Sequence, residues 1–161
     1  MMDSRSLDKQ IQSDIRIDRD GVWHFRGAEM IRKDIIRLFY QHLRKDEAGR
    51  FLIELQDDRS YIEVEDVPYA VRSVTRVLDG QGGVSSYLLQ LNDDTIEELD
   101  PQTLRIGEGN ILYSSVREGL FEAKFSRAAY YQIANLMEYD SESDLFYLVQ
   151  NGLKFTVRPK D

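Results

Sequence analysis

The chain has 161 residues, of which 42% are hydrophobic and 31% charged, and its formal net charge is −8. This composition is typical of a soluble globular protein and argues against a disordered one. The sequence contains no cysteine, which excludes disulfides, thiolate metal sites, iron–sulfur clusters and cysteine nucleophiles.

The N-terminal segment, residues 1–13, is polar and lacks the apolar core of a secretory signal. No stretch approaches the roughly 18 consecutive apolar residues that a membrane-spanning helix needs. We therefore expect an N-terminal arm over residues 1–13 and a cytoplasmic protein. The negative net charge opposes phosphate backbones and anionic membranes, so neither nucleic acid nor a membrane is expected as a partner.

The first half of the chain, residues 14–68, is predicted to contain strands, one long helix and a hairpin. Alternating Ile15 and Ile17 predict a strand, and residues 22–25 predict another. Apolar spacings of three and four predict a helix over residues 28–45, with Gly27 as its N-cap and Gly49 as its stop. Its buried stripe would comprise Ile31, Ile35, Leu38, Phe39 and Leu43, and Ile36 and Tyr40 would widen it.

The second half, residues 69–161, is predicted to be richer in strands. Residues 69–78 and 84–91 predict a hairpin around a glycine cluster, and several short strands follow. Ser126 is the expected N-cap of a second helix that ends near Tyr139. A tight turn at residues 151–152 would join the last two strands.

Two stretches of the sequence repeat the same order of strand, helix, strand, turn and strand. The first runs from DGVWHF at Asp20 to YIEV, and the second runs from EGLFEAKF at Glu118 to KFTV. The second stretch is shorter by four residues, about one helical turn, which predicts a shorter second helix. The expected fold is therefore α+β, with two related half-domains of mostly antiparallel sheet.

Charge is distributed unevenly along the chain. Residues 26–50 contain seven basic and four acidic side chains, a local charge of +3, whereas residues 92–108 are strongly acidic around Arg105. These segments are interpreted as two solvated faces of opposite sign. The alternative is a pair of surfaces that dock a partner.

Known catalytic and metal-binding motifs are absent from the sequence. The glycine clusters match neither a phosphate loop nor a dinucleotide fingerprint, and there is no nucleophile elbow. His24 and His42 have no histidine partner three or four residues away, so each is expected to be structural or exposed rather than a metal ligand. Glu63 and Glu65 would share one strand face. That face would lie either in solvent or in an interface, where the two acids would need basic partners such as Arg26, Arg32 or Arg37.

The stretch from Arg16 through Tyr69 resembles a bacterial family of uncharacterised proteins defined as a domain of unknown function. The motif residues are Asp20, Gly21, Trp23, Gly27, Arg32, Leu38, Phe39, Ile62, Val64, Glu65, Asp66, Pro68 and Tyr69. A Thr-Pro segment of the family is replaced here by Leu55–Asp58. The resemblance implies a duplicated fold, a C-terminal half similar to pleckstrin-homology domains, and ligand recognition or signalling at the interface of the halves.

We hypothesise a non-enzymatic module that binds a small molecule or a protein segment and needs no cofactor or metal. Its site would lie between the half-domains, since ligand pockets often form at such interfaces. The contacts would come from Trp23, Arg26, Arg32, Arg37, Glu63, Glu65 and Tyr69. Two alternatives stay open: an enzyme of unknown class that uses interface carboxylates, and a structural component of a homo-oligomer.

Overall fold

The structure is a computed structural model that describes residues 12–159. Its contacts divide the chain after Asp66 into an N-terminal unit and a C-terminal unit. The described residues contain two α-helices and sixteen strands, which confirms the predicted α+β class. Neither helix in this part of the chain has the length and apolar character needed to cross a bilayer.

The N-terminal unit is built on one six-stranded sheet. Its elements are β1 (Gln12–Ile17), β2 (Trp23–Phe25), β3 (Ala28–Glu29), α1 (Lys33–Gln41), β4 (Leu43–Lys45), β5 (Phe51–Leu55) and β6 (Asp58–Val64). The strands lie in the order β3-β2-β1-β6-β5-β4; β1 and β6 are parallel, and the other neighbours are antiparallel. Gln12 and Ser13, assigned above to the N-terminal arm, belong to β1.

The core of this unit forms where α1 packs on the sheet. Ile17 and Trp23 are register partners on β1 and β2, and both are almost fully buried. The Trp23 ring meets the edge of Tyr40 with centroids 4.9 Å apart, and it lies 5.8 Å from Phe39. Because Leu43 is also buried, the last turn of α1 and the start of β4 close this core.

The predicted helix over residues 28–45 was wrong at both ends. Arg26 and Gly27 both have positive φ, which is the geometry of a tight two-residue hairpin, so Ala28 pairs with Phe25 in a strand. The N-cap of α1 is Arg32 rather than Gly27, and α1 ends before His42. Leu43–Lys45 is a strand, and Gly49 lies in the turn that follows it.

The predicted buried stripe was also partly wrong. Ile31 precedes the helix and is 83% exposed, and Leu38 is 41% exposed. Tyr40, which was expected only to widen the stripe, is the buried residue of α1. The stripe differs because the helix starts five residues later than the spacing suggested.

The C-terminal unit contains a seven-stranded sheet and a separate three-stranded sheet. The elements are β7 (Tyr69–Leu78), β8 (Val84–Leu91), β9 (Ile96–Glu98), β10 (Arg105–Ile106), β11 (Leu112–Val116), β12 (Phe121–Phe125), α2 (Arg127–Ala134), β13 (Glu138–Asp140), β14 (Leu145–Gln150), β15 (Leu153–Thr156) and β16 (Arg158–Pro159). The larger sheet has the order β16-β10-β11-β12-β7-β8-β9, and the smaller one has the order β13-β14-β15. Two 3₁₀ helices lie at Pro101–Thr103 and Glu108–Asn110.

Specific hydrogen bonds hold α2 and the small sheet in place. The Ser126 side chain accepts a hydrogen bond from the Ala129 N–H, as its predicted N-cap role requires. The Gln132 side chain accepts from the Val74 N–H of β7 at 2.8 Å. Tyr87 of β8 donates to the Val149 carbonyl at 2.7 Å and so anchors β14. The second helix ends at Ala134, well before Tyr139, because residues 138–140 form β13.

The repeat predicted from the sequence is confirmed. In the first copy a hairpin (β1, β2) is followed by α1 and an antiparallel meander (β4, β5, β6); in the second copy β11 and β12 are followed by α2 and then β13, β14 and β15. Gly21 and Gly119 occupy the same place, two residues before β2 and β12, with φ values of 80° and 84°. The likeness of the C-terminal half to pleckstrin-homology domains stays a prediction.

Candidate functional site

An apolar cleft opens on the N-terminal unit beside α1. Its volume is about 300 Å³, within the range of small-molecule sites. All of its lining residues but one are apolar; they are Ile15, Phe25, Met30, Ile31, Arg32, Ile35 and Phe39. The cleft is therefore as apolar as the core that contains Ile17 and Trp23.

Three neighbouring elements supply the walls of this cleft. Ile15 and Phe25 are register partners on β1 and β2, on the same strand faces as the buried Ile17 and Trp23. Ile35 and Phe39 lie four residues apart on α1, so both side chains face the hairpin. The third wall is the connector between β3 and α1, residues 30–32.

The connector is tied to the sheet by its backbone. The Met30 N–H donates to the Trp23 carbonyl at 2.8 Å, which holds Met30 against the hairpin. Ile31 follows and exposes 83% of its surface. An isoleucine costs about 1.5–3 kcal/mol to leave in water rather than bury, so a ligand that covers Ile31 gains part of this free energy.

Among the residues that the structure describes, Arg32 is the one charged residue that lines the cleft. Its Nε and Nη2 donate to the two carboxylate oxygens of Asp34 at 3.0 and 2.7 Å. The hydrogen bond and charge of Asp34 raise the pKa of Arg32, and those of Arg32 lower the pKa of Asp34. The guanidinium therefore stays charged. Since Nε and Nη2 donate to Asp34, Nη1 is the donor that a ligand oxygen can approach.

A second cation lies near the same wall. The guanidinium carbon of Arg26 is 5.1 Å from the centroid of the Phe25 ring, one of the cleft residues. Arg26 also donates from Nε to Asp14 at 3.1 Å, and this pair is largely exposed. The cleft thus combines an apolar interior with basic groups near its edge.

The other residues predicted to form the site lie elsewhere in the N-terminal unit. Trp23 is buried in the core behind Phe39 rather than lining the cleft. Arg37 lies on the exposed side of α1, and Glu63 is exposed on β6. Glu65 pairs with Arg16 and accepts a hydrogen bond from the Arg19 N–H at 3.0 Å, so its basic partners are not those expected from the sequence.

Tyr69 begins β7 in the C-terminal unit and is 1% exposed. Its ring lies 5.8 Å from that of Phe121. Burial raises the pKa of the Tyr69 hydroxyl well above its ordinary value, with Asp93 and Glu97 adding to the shift and Arg117 opposing it. Tyr69 is therefore a neutral core residue of this unit.

Both histidines have structural positions. His24 Nε2 lies 2.9 Å from Asp18 Oδ2, and Oδ1 of the same carboxylate accepts the N–H groups of Asp20 and Val22. His42 is the C-cap of α1, where a helix favours a basic group. Within residues 12–159, no three His, Cys, Asp or Glu side chains are grouped so that they could hold a metal ion.

Arg32, one of the residues predicted from the sequence, lines this cleft, whereas its apolar walls were not among the predicted residues. Ile31 and Ile35 were assigned to a buried helix stripe, and Phe25 to a strand end. The pair Arg26-Gly27 was the signal that could have corrected the predicted start of the helix. A residue followed by glycine between two strand-forming segments also fits a two-residue hairpin turn. A hairpin there moves the start of the helix and leaves Met30 and Ile31 in the connector.

The chain is similar to proteins of one uncharacterised family. Residues 6–67 match the model described as the domain of unknown function DUF1285, N-terminal domain. A DUF1285 family protein from Silicibacter pomeroyi DSS-3 has a solved structure that aligns over 90% of this chain and 79% of its own, with 25% identity and a TM-score of 0.74. The predicted resemblance to a family of uncharacterised proteins is therefore confirmed.

A second solved structure supports the fold. It is a DUF1285 family protein from Shewanella baltica OS155, and it covers 76% of this chain and 91% of its own, with 19% identity and a TM-score of 0.63. No curated protein matches this chain. The relatives thus share the architecture, and their descriptions name no ligand or reaction.

Proposed function

We propose that this protein, whose residues 6–67 match the N-terminal domain of the DUF1285 family, is a binding module for a small amphipathic carboxylate. The apolar cleft of the N-terminal unit is the observation that supports the proposal. A straight hydrocarbon chain would fill the cleft and cover Ile31. The carboxylate would bind at its edge, on Arg32.

The size and lining of the cleft favour this ligand class over a polar metabolite. The cleft has a volume of about 300 Å³, and among the described residues only Arg32 offers a polar side chain to a hydroxyl or amide group inside it. Each methylene that enters contributes about 0.8 kcal/mol. The basic groups near the edge select an acid over a neutral lipid.

A module that binds its ligand without converting it would suit the ligand recognition or signalling that the family resemblance implies. The site predicted between the half-domains remains a prediction, and the cleft proposed here lies wholly within the N-terminal unit. An enzyme and a homo-oligomeric assembly component remain the alternatives.

Calorimetric titration with hexanoate, octanoate and decanoate tests the proposal, with the matching alcohols as neutral probes. We expect affinity to rise about four-fold with each added methylene until the cleft is filled. Each carboxylate should bind more tightly than its alcohol. Arg32→Gln should remove that preference and leave the dependence on chain length.

Ile31→Asp is the decisive variant, because an 83% exposed side chain can be changed without disturbing the fold. It should abolish carboxylate binding. Leu120→Asp is the matched control: it makes the same change of charge at a 64% exposed leucine of the C-terminal unit, and binding should be retained. Affinity that is independent of chain length, or equal loss in both variants, contradicts the proposal.

Light scattering on the same samples separates ligand binding from self-association. Three results together would show that the cleft is an interface between two copies. The protein would form a dimer, Ile31→Asp would abolish that dimer, and no carboxylate would bind. That result would contradict the proposal and favour the assembly alternative.

A further inference from the structure

The C-terminal unit contains a second cleft of about 450 Å³ with the opposite chemical character. Three basic residues of the described part of the chain line it: Arg105 of β10, Lys154 of β15 and Arg158 of β16. Gln102 and Thr156 add neutral polar groups. The concentration of positive charge is notable because the chain as a whole has a net charge of −8.

Strand pairing places two of these cations side by side. The strands β10 and β16 are parallel, and Arg105 and Arg158 are register partners. Like charges on directly paired strand residues repel and reduce stability, and the ion pair of Arg105 with Glu122 offsets part of this repulsion. An anion bound between the two guanidinium groups would replace this repulsion with two attractive contacts.

The Arg105 side chain is held in one position by its neighbours. Its Nε donates to Glu122 at 2.9 Å, Nη2 donates to the same carboxylate oxygen, and the guanidinium lies 4.3 Å from the centroid of the Tyr113 ring. A Cβ at Gly107 would stand only 2.7 Å from Tyr113 Cε2, so glycine at this position lets the ring lie where it supports Arg105. A preorganised guanidinium loses little conformational entropy on binding an anion.

The other two cations have no such partner. Within residues 12–159, no carboxylate lies within ion-pair distance of Lys154 or Arg158. The Lys154 ammonium stands 4.6 Å from the centroid of the Tyr147 ring. It contributes a minor part of the lowered pKa of Asp140, whose main cause is the hydrogen bond from the Glu142 N–H. Both cations can therefore neutralise a ligand.

We infer that this cleft binds the phosphate monoester group of a small soluble molecule. A phosphate monoester has close to two negative charges at neutral pH and three acceptor oxygens, which suits two guanidinium groups and an ammonium better than a singly charged carboxylate does. Leu104 and Phe155 also line the cleft and would contact the apolar part of the ester. This site lies in a different unit from the carboxylate site proposed above and does not depend on it.

Calorimetric titration with phenyl phosphate, inorganic phosphate and benzoate tests the inference. Phenyl phosphate should bind about ten-fold more tightly than benzoate, because a second charge is neutralised. It should also bind more tightly than inorganic phosphate, because its ring covers Leu104 and Phe155. Raising the salt concentration should weaken binding. Equal affinity for benzoate and phenyl phosphate would overturn the inference.

Two exposed variants locate the site. Arg158→Gln and Lys154→Gln should each weaken phenyl phosphate binding about ten-fold. Arg127→Gln is the matched control, since it removes the same charge from an exposed residue at the start of α2 that does not line the cleft. Equal weakening by Arg127→Gln would mean that only net charge matters, which contradicts a site.

Vesicles that contain phosphatidic acid distinguish a lipid headgroup from a soluble ester. Binding to the vesicles without binding of phenyl phosphate would overturn the proposed ligand class. Ile31→Asp should leave phenyl phosphate binding unchanged, so the failure of one proposed site is distinguishable from the failure of the other.

Discussion

The two copies of the repeat differ most in the segment between the second hairpin strand and the helix. In the first copy this segment has seven residues, 26–32, which include β3 and the connector, whereas in the second copy Ser126 alone separates β12 from α2. The helices themselves have nine and eight residues. The extra length of the first copy therefore lies mainly in this segment, and the expected difference of one helical turn between the helices was wrong.

The longer segment of the first copy has a structural consequence. Met30, Ile31 and Arg32 belong to it, and they form one wall of the apolar cleft. In the second copy only Ser126 stands at the corresponding place, and it caps the helix that follows. An insertion of a few residues before a helix is thus enough to open a cleft in one copy of a duplicated motif.

The copies also differ in how their meanders join the hairpin. In the first copy β6 pairs in parallel with β1, so hairpin and meander form one sheet. In the second copy β12 pairs in parallel with β7, and the meander remains a separate sheet of three strands. The same order of elements therefore allows the hairpin to pair either with its own meander, as in the first copy, or with another strand, as in the second.

The largest expected effect concerns the aromatic residue that begins the second strand of each hairpin. Trp23 and Phe121 occupy equivalent positions and are 2% and 8% exposed. Trp23→Ala and Phe121→Ala should each lower the free energy of unfolding by about 3–5 kcal/mol, with the larger loss for tryptophan. Urea denaturation followed by circular dichroism measures both.

Tyr131→Ala provides the control for these two variants, since the Tyr131 side chain is 59% exposed. It should change stability by less than about 0.5 kcal/mol. A Trp23→Ala protein as stable as this control would show that the two aromatic residues are not equivalent core positions.

A smaller effect is expected at the two helix starts. The Ser126 hydroxyl accepts the Ala129 N–H at 3.2 Å, so Ser126→Ala should cost about 1 kcal/mol. The N-cap of α1, Arg32, makes no capping hydrogen bond with its side chain. Arg32→Ala should therefore destabilise the protein less than Ser126→Ala in thermal denaturation, and the reverse order would mean that Arg32 has a structural role.

The smallest expected effect concerns the pH dependence of stability. It involves the carboxylates that accept backbone hydrogen bonds from the two hairpin turns, Asp18 in the first turn and Glu97 of β9 at the second. Partial burial tends to raise the pKa of Asp18, but hydrogen bonds from His24 and from the N–H groups of Val22 and Asp20 outweigh it and lower the pKa. Glu97 accepts the Arg117 N–H at 3.1 Å in the second turn, and there burial prevails and raises the pKa.

These two shifts have opposite consequences for stability. The lowered pKa of Asp18 contributes stability above its ordinary value of 3.8, and this contribution is lost as the pH falls through the folded-state pKa. The raised pKa of Glu97 contributes stability below its ordinary value of 4.5, and this contribution is lost as the pH rises through the folded-state pKa.

Asp18→Asn and Glu97→Gln separate the two contributions, because each amide retains an oxygen that accepts the backbone N–H. Stability measured between about pH 3 and about pH 7 should fall less on acidification in Asp18→Asn than in the native protein. Glu97→Gln should instead reduce the loss that accompanies rising pH. Identical profiles for both variants would contradict the assigned shifts.

Sequence alone determined the class of the fold, the repeat and the positions of most strands. Local chemistry is sufficient for these features: alternation at Ile15 and Ile17 marks β1, Ser126 marks the start of α2, and Gly21 and Gly119 mark equivalent turns with positive φ. Each of these signals depends on a few neighbouring residues and on no distant contact.

Tertiary structure alone decided which apolar residues are buried and which basic residues lie together. Ile31 fits a helical stripe in the sequence, yet a two-residue hairpin at Arg26-Gly27 moves it into the connector and leaves it exposed. Arg105 and Arg158 are 53 positions apart in the chain, and only the pairing of β10 with β16 makes them neighbours. Periodicity describes one element at a time, whereas a cleft is formed by residues from several elements.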